Sequence, residues 1–219
     1  MDVFIFLILV PVCILTYLLY RIHFVKVNGT HNPLNAGKRK ASASLMVVVG
    51  SGGHTREVLC LVRQLGSHYS PRYYVIADTD KMSEHKVHAL EESRKEEQEQ
   101  SQYFVIRIPR SRHVKQSWVS TVLSTLYAAI YTFPVVFRRK PEIILCNGPG
   151  TCIPVCLAGL LLKWLHFQRT MIVYVESVCR VTSLSLSAKI LYHFADHMFV
   201  QWPTLQQQHP KCQYIGRIV

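Results

Sequence analysis

Two glycine-rich stretches carry the residue types best suited to chemistry. The first is Gly50-Ser51-Gly52-Gly53-His54-Thr55 and the second is Asn147-Gly148-Pro149-Gly150-Thr151. Each follows an apolar run and opens a helical one. Glycine lets the backbone come close to a ligand, and a helix N-terminus offers free N–H groups and a partial positive charge. That combination suits a diphosphate, with Ser51, Thr55, Asn147 and Thr151 as further candidate contacts. A plain strand-to-helix turn needs fewer glycines. A dinucleotide fingerprint would place a third glycine where Thr55 stands, which weakens an NAD reading. His54 sits at the helix start, where a neutral imidazole beside a bound hydroxyl can act as general base. A capping or merely packed histidine is the plain alternative.

Other polar residues follow apolar runs in the same way. Glu176 emerges from Met171 to Val175. A carboxylate buried there without a partner would be costly, so it is expected to meet a ligand hydroxyl, a backbone N–H or Arg180. In Asp78-Thr79-Asp80, one acid could bind a sugar hydroxyl, with Asp78 the candidate. The same stretch also suits helix capping, by Asp80 or Ser83. The loop Pro109 to Lys115 gathers Arg110, Arg112, His113 and Lys115, which could meet phosphate, lipid head groups or only solvent.

Positioning these residues requires a regular scaffold. Apolar, β-rich runs fall at 45–49, 72–77, 103–108, 142–146, 171–175, 198–201 and 213–215. Helical spacing falls between them, at 55–65, 118–138, 152–167 and 183–194. Val119, Val122, Leu123, Leu126, Ile130 and Phe133 step at i, i+3, i+4 and i+7. Ile153 to Leu165 is almost wholly apolar, so it is buried or dips into a membrane surface. Lys81 to Gln100 is polar and helical or disordered, and its acids Glu91 to Glu99 read as a solvated face. Trp202-Pro203 opens a last short helix. The strands lack alternation, as expected of strands covered on both faces. The fold class is an open, doubly wound α/β sheet, mostly parallel, with ligands expected beyond the carboxyl ends of the strands.

The first 44 residues are of another kind. Val3 to Tyr20 carry no charge, and Arg21, Lys26, Lys38, Arg39 and Lys40 follow. The expectation is a transmembrane signal anchor over 3–20, N-terminus lumenal and body cytosolic, then a basic flexible tether over 21–44. A cleaved signal peptide would begin with basic residues, and this chain begins Met1-Asp2. The 219 residues include 25 Lys and Arg against 13 Asp and Glu, a net charge of +12. Such a surface favours anionic partners, and an anchor among acidic lipids accounts for it better than nucleic acid does. Seven cysteines without a C-x-x-C pair exclude a disulfide scaffold or zinc site and read as buried thiols of a reducing compartment. No metal or cofactor is expected.

The loops together resemble the acceptor half of GT-B glycosyltransferases. That group includes the bacterial enzyme that adds N-acetylglucosamine to the lipid-linked peptidoglycan precursor. The match is closer to the anchoring-subunit family of the eukaryotic N-acetylglucosaminyldiphosphodolichol N-acetylglucosaminyltransferase. The segments carrying it are Gly50–Thr55, Tyr74–Asp80, Arg107–Arg112, Gln116–Trp118, Cys146–Cys152, Tyr174–Arg180, Val200–Pro203 and Gly216–Val219.

The resemblance implies one Rossmann-like half of a split enzyme, over 45–219. A cytosolic partner subunit would bring the UDP-N-acetylglucosamine site and dock on Gly216, Arg217, Ile218 and Val219. The pair would add the second N-acetylglucosamine, β1,4 and with inversion, to dolichyl-diphosphate-N-acetylglucosamine at the endoplasmic reticulum membrane. This chain alone would be inactive. His54 would assist the acceptor hydroxyl, and Gly50, Gly52, Gly53, Gly148 and Gly150 would face its diphosphate. Glu176 matches a bacterial glutamate followed by Gln-Asn, but Ser-Val-Cys-Arg follows here, which leaves its role open. About 175 residues after the tether suffice for one domain rather than two, and an apolar Ile218-Val219 end would be exposed in a monomer. A non-enzymatic membrane adaptor and an anchored Rossmann reductase are the alternatives.

Overall fold

The computed structural model describes residues 42–96, 102–112, 116–148 and 150–218. The expected anchor, the tether up to residue 41, Glu97 and Glu99, His113 to Lys115, Pro149 and Val219 lie outside the described residues.

Among the described residues seven strands and six helices alternate: β1 (Leu45–Val48), α1 (Gly53–Arg63), β2 (Arg72–Ala77), α2 (Lys81–Glu96), β3 (Tyr103–Ile108), α3 (Trp118–Arg139), β4 (Ile143–Asn147), α4 (Cys152–Trp164), β5 (Met171–Val175), α5 (Leu186–Leu191), β6 (His197–Val200), α6 (Pro203–Gln208) and β7 (Gln213–Tyr214). The strands form one sheet in the order β3-β2-β1-β4-β5-β6-β7, and every pairing is parallel. β1 lies between β2 and β4, with Val48 beside both Val75 and Cys146.

Successive residues of a strand point to opposite faces, and here both faces are cores. Met46, Val48, Tyr73 and Val75 join α4, α5 and α6 through Cys152, Val155, Ala188 and Leu205. Leu45, Val47, Tyr74 and Ile76 join α1 and α2 through Val58, Val62, Val87 and Leu90. A doubly wound sheet is thus present as expected. α4 lies so close to the sheet that a Cβ on Gly159 would stand 2.4 Å from Ile144 Cδ1.

The structure corrects several expectations. The outward face of α3 holds the stripe that the spacing picks out: Val119, Leu123 and Ile130 are 75%, 64% and 68% exposed. Its other face, through Ala128, Thr132 and Val136, is buried. α4 is buried along most of its length, which answers the choice between core and membrane surface for that helix. Glu91 is not part of a solvated face. It is buried and grips the buried Arg72 through two hydrogen bonds of 2.8 and 2.6 Å, while the Tyr74 hydroxyl donates to it as well. A bidentate carboxylate–guanidinium pair satisfies both charges where solvent cannot.

The end of the expected tether belongs to the domain: Ala43 is buried and its N–H donates to the His68 carbonyl. At the other end, Ile218 is half-buried against the core, and its N–H donates to Gln201 Oε1 at 2.9 Å. Exposure there falls on Tyr214 and Ile215 instead. Not every thiol is buried either, since Cys179 is exposed.

Candidate functional site

The strand order reverses between β1 and β4. Their loops leave in opposite directions across the sheet and open a crevice at the carboxyl edge. Both glycine loops border it. A cleft of about 400 Å³ is lined by Gly53, His54, Glu57, Gly148, Glu176, Ser177, Cys179, Arg180 and Ser185. A smaller niche of about 70 Å³ is lined by Val49, Gly50, Ser51, Ala77, Arg110, Arg112, Gly150 and Thr151. Of the basic loop, Arg110 and Arg112 therefore face the glycine loops.

Two glycines are required by geometry. Gly52 at φ 67° turns the chain into α1. Gly148, at φ 72°, packs under the His54 ring, where a Cβ would come 2.4 Å from Cε1. Left-handed backbone and contact with the ring together exclude other residues there.

A polar chain runs from His54 into the protein. His54 Nδ1 is 3.0 Å from Asn147 Oδ1. The Asn147 amide nitrogen donates to Glu57 Oε2 at 2.9 Å and to the Val175 carbonyl at 3.3 Å. Glu57 also accepts from the Ser177 hydroxyl at 2.7 Å and the Val178 N–H at 3.3 Å. The Val175 carbonyl accepts only, and an ionised Glu57 does too, so the amide NH₂ must face them and Oδ1 must face the histidine. The neutral imidazole then carries its proton on Nδ1. Among the described residues nothing bonds Nε2, and its lone pair is left to the cleft.

Glu176 is 0% exposed. Its oxygens accept from the N–H groups of Ser177 at 3.0 Å and Ser185 at 2.7 Å, and its carbonyl accepts from Gln201 Nε2. Of the three expected partners, the backbone N–H is the one found. Burial pushes this carboxyl above the ordinary range, opposed by the two backbone donors and the Arg180 charge. It holds the loop after β5 in shape.

The other candidates divide. Ser51, Gly52 and Gly53 are exposed at the mouth, and Gly150 is half-buried. Thr151 is buried but borders the niche. Thr55 is buried, with its hydroxyl committed to the Gly50 carbonyl and the Ser83 hydroxyl, so it stabilises the loop from behind. Asp80 caps α2, accepting from the Ser83 N–H and hydroxyl. Asp78 is exposed. Arg217 stacks over the Trp202 ring at 4.2 Å, and Gly216 has φ 79°. Glu57 escaped the sequence reading. Its only signal was an acid three residues after His54, on the helix face that Val58 and Val62 turn inward.

Comparison with known proteins identifies relatives of this chain. The family model described as "Oligosaccharide biosynthesis protein Alg14 like" matches residues 45–218. The UDP-N-acetylglucosamine transferase subunit ALG14 of Rattus norvegicus is 54% identical over 183 residues, 82% of this chain and 85% of that protein. The Homo sapiens subunit of the same name is 51% identical over 183 residues, with the same two coverages. The Schizosaccharomyces pombe subunit is 42% identical over 190 residues, 84% of this chain and 88% of that protein. Among solved structures, Acinetobacter baumannii MurG aligns with TM-score 0.49 at 16% identity, over 74% of this chain and 42% of that one. With a family model spanning the whole described domain and relatives above half identity, this chain belongs to the Alg14 family.

Proposed function

We propose that this chain is the membrane-anchoring, acceptor-binding subunit of a two-chain UDP-N-acetylglucosamine transferase. A cytosolic donor-binding subunit supplies the other half. The acceptor is dolichyl-diphosphate-N-acetylglucosamine at the endoplasmic reticulum membrane, and the product carries the second N-acetylglucosamine of the lipid-linked oligosaccharide. The names of the relatives support the transferase part. Residues 3–20 anchor the chain in this reading.

The observation that carries it is the orientation of His54. Asn147 holds Nδ1, Gly148 supports the ring, and Nε2 is left for a substrate in a crevice between two glycine loops. The acceptor O4 attacks the anomeric carbon of the donor sugar, its proton passes to Nε2, and the bond to UDP breaks with inversion. Glu176 is a poor second candidate for the base, because both its oxygens already accept backbone N–H groups. Gly52, Gly53 and Gly150, with Arg110 and Arg112, receive the acceptor diphosphate. Orientation of two bound substrates supplies much of the remaining rate.

The test is transfer of labelled N-acetylglucosamine from its UDP donor to a short-chain lipid-diphosphate-N-acetylglucosamine. Membranes carrying this chain are assayed with and without cytosol. Activity is expected only with cytosol, and His54→Ala should lower it about 10²–10⁴-fold while partner binding survives. Unchanged activity in His54→Ala would leave a membrane adaptor as the better reading.

A further inference from the structure

One wall of the cleft comes from the segment after β5, which contributes Glu176, Ser177, Cys179, Arg180 and Ser185. α1 and the second glycine loop supply the rest. The ladder between β5 and β6 ends where the Glu176 N–H donates to the Phe199 carbonyl. Past that point the carbonyls of the wall have no strand beside them, and a buried carbonyl left without a donor is costly.

Gln201 and Trp202, the first two residues after β6, supply those donors from their side chains. Gln201 Nε2 donates to the Glu176 carbonyl at 3.1 Å, and Trp202 Nε1 donates to the Val178 carbonyl at 2.7 Å. Just beyond them, the Thr204 hydroxyl donates to the Val181 carbonyl at 2.9 Å. Neither Gln201 nor Trp202 lines the cleft or the niche.

The same two side chains are held from behind by the C-terminal tail. The Ile218 N–H donates to Gln201 Oε1 at 2.9 Å. An N–H at one end and a carbonyl at the other leave the Gln201 amide a single orientation. The Arg217 guanidinium lies over the Trp202 ring at 4.2 Å, a cation–π distance. Two parallel routes therefore run from the tail to the wall, through adjacent residues.

We propose that Gln201 and Trp202 are positioning residues that transmit the seating of the C-terminal tail to the wall of the acceptor cleft, and so fix where Cys179 and Arg180 stand. The mechanical part of this is independent of the transferase reading. The part that concerns the acceptor rests on that reading.

Hydrogen exchange of the full chain in mild detergent, with no partner added, reads the mechanical part. Trp202→Phe keeps an aromatic ring for Arg217 and removes the N–H donor. Amide exchange across 176–185 is expected to rise several-fold, with 45–48 and 72–77 unchanged. Gln201→Met should act in the same direction. Arg217→Ala should also loosen 176–185, and Arg217→Lys should do so less. Arg217→Ala should add little in the Trp202→Phe background, because the N–H that carries its effect is gone. Unchanged exchange at 176–185 in Trp202→Phe overturns the proposal. An equal rise throughout the domain does so too, since both residues would then be ordinary supports of the fold. Full additivity of the two substitutions removes the route from the tail.

With the complete two-subunit system, Trp202→Phe should raise KM for the short-chain lipid-diphosphate acceptor several-fold. KM for the UDP donor and kcat should stay nearly unchanged. A loosened wall with an unchanged acceptor KM overturns the assignment of this wall to the acceptor. An inactive parent complex with the expected exchange pattern would sink the transferase reading and leave the brace standing.

Discussion

Helices α3 and α4 look alike in sequence and meet opposite fates. Both are apolar, both precede or follow β4, and they pack against each other. α4 is closed in on nearly all sides, and Cys152, Val155, Cys156, Leu160 and Leu162 lie in the core. Among its described side chains α3 turns only Ala128, Thr132 and Val136 fully inward and leaves its bulkiest aliphatic residues outside. α3 packs on the core along one face, with Phe133, Val135 and Phe137 beside the buried residues, whereas Gly159 of α4 brings that helix backbone down onto Ile144. Composition says that a helix is apolar; what covers it depends on elements elsewhere in the chain.

If α4 is core and α3 is not, the largest stability effect belongs to α4. Leu162→Ala removes a side chain with no exposure and should cost about 2–5 kcal/mol. Gly159→Ala should cost about 1–3 kcal/mol, because the added Cβ overlaps Ile144. Urea midpoints of the detergent-solubilised chain measure both. Values near zero would mean that α4 is not packed as described.

Glu176 is the reverse of α3, a charge kept inside where α3 keeps hydrocarbon outside. Its folded-state pKa is raised by burial, so between the ordinary carboxylate value and the raised one unfolding releases a proton. Stability from this group therefore falls as pH rises through that window, and the penalty is complete above it. The stability difference between the parent and Glu176→Ala should shrink as pH rises there. A difference that widens would mean that the two N–H donors outweigh burial.

Much of the scaffold was legible. The spans of β2, β3 and β5 fall on the residues that the apolar runs mark. β2 and β5 are covered on both faces and need unbroken hydrophobicity, whereas β3 is an edge strand that leaves Phe104 and Arg107 exposed. The glycine loops were legible because few residues tolerate φ 67° or a ring pressed on the backbone. α5 came out shorter than 183–194, since Ser185 caps it from within that stretch. Glu91 and Glu57 were not legible as buried residues. Their partners, Arg72 for one and Asn147 and Ser177 for the other, come from different elements, and helical spacing says nothing about such meetings.

The smallest effect is the sharpest test of the comparison between the two helices. Leu126 lies on the same helix as the buried Ala128 and is 59% exposed. Leu126→Ser removes hydrocarbon that the folded domain hardly covers, so its stability in a mild detergent should change by only about 0.5 kcal/mol. The same substitution at Leu162 would leave a polar group in a closed core, a far larger cost. A cost at Leu126 approaching that of Leu162→Ala would show that something of this chain's own covers the outer face of α3 in solution. A near-silent Leu126→Ser, beside a disabling Leu162→Ala, leaves that face free for an external surface. Its hydrophobicity is then explained by what it touches outside the domain rather than by what it holds together.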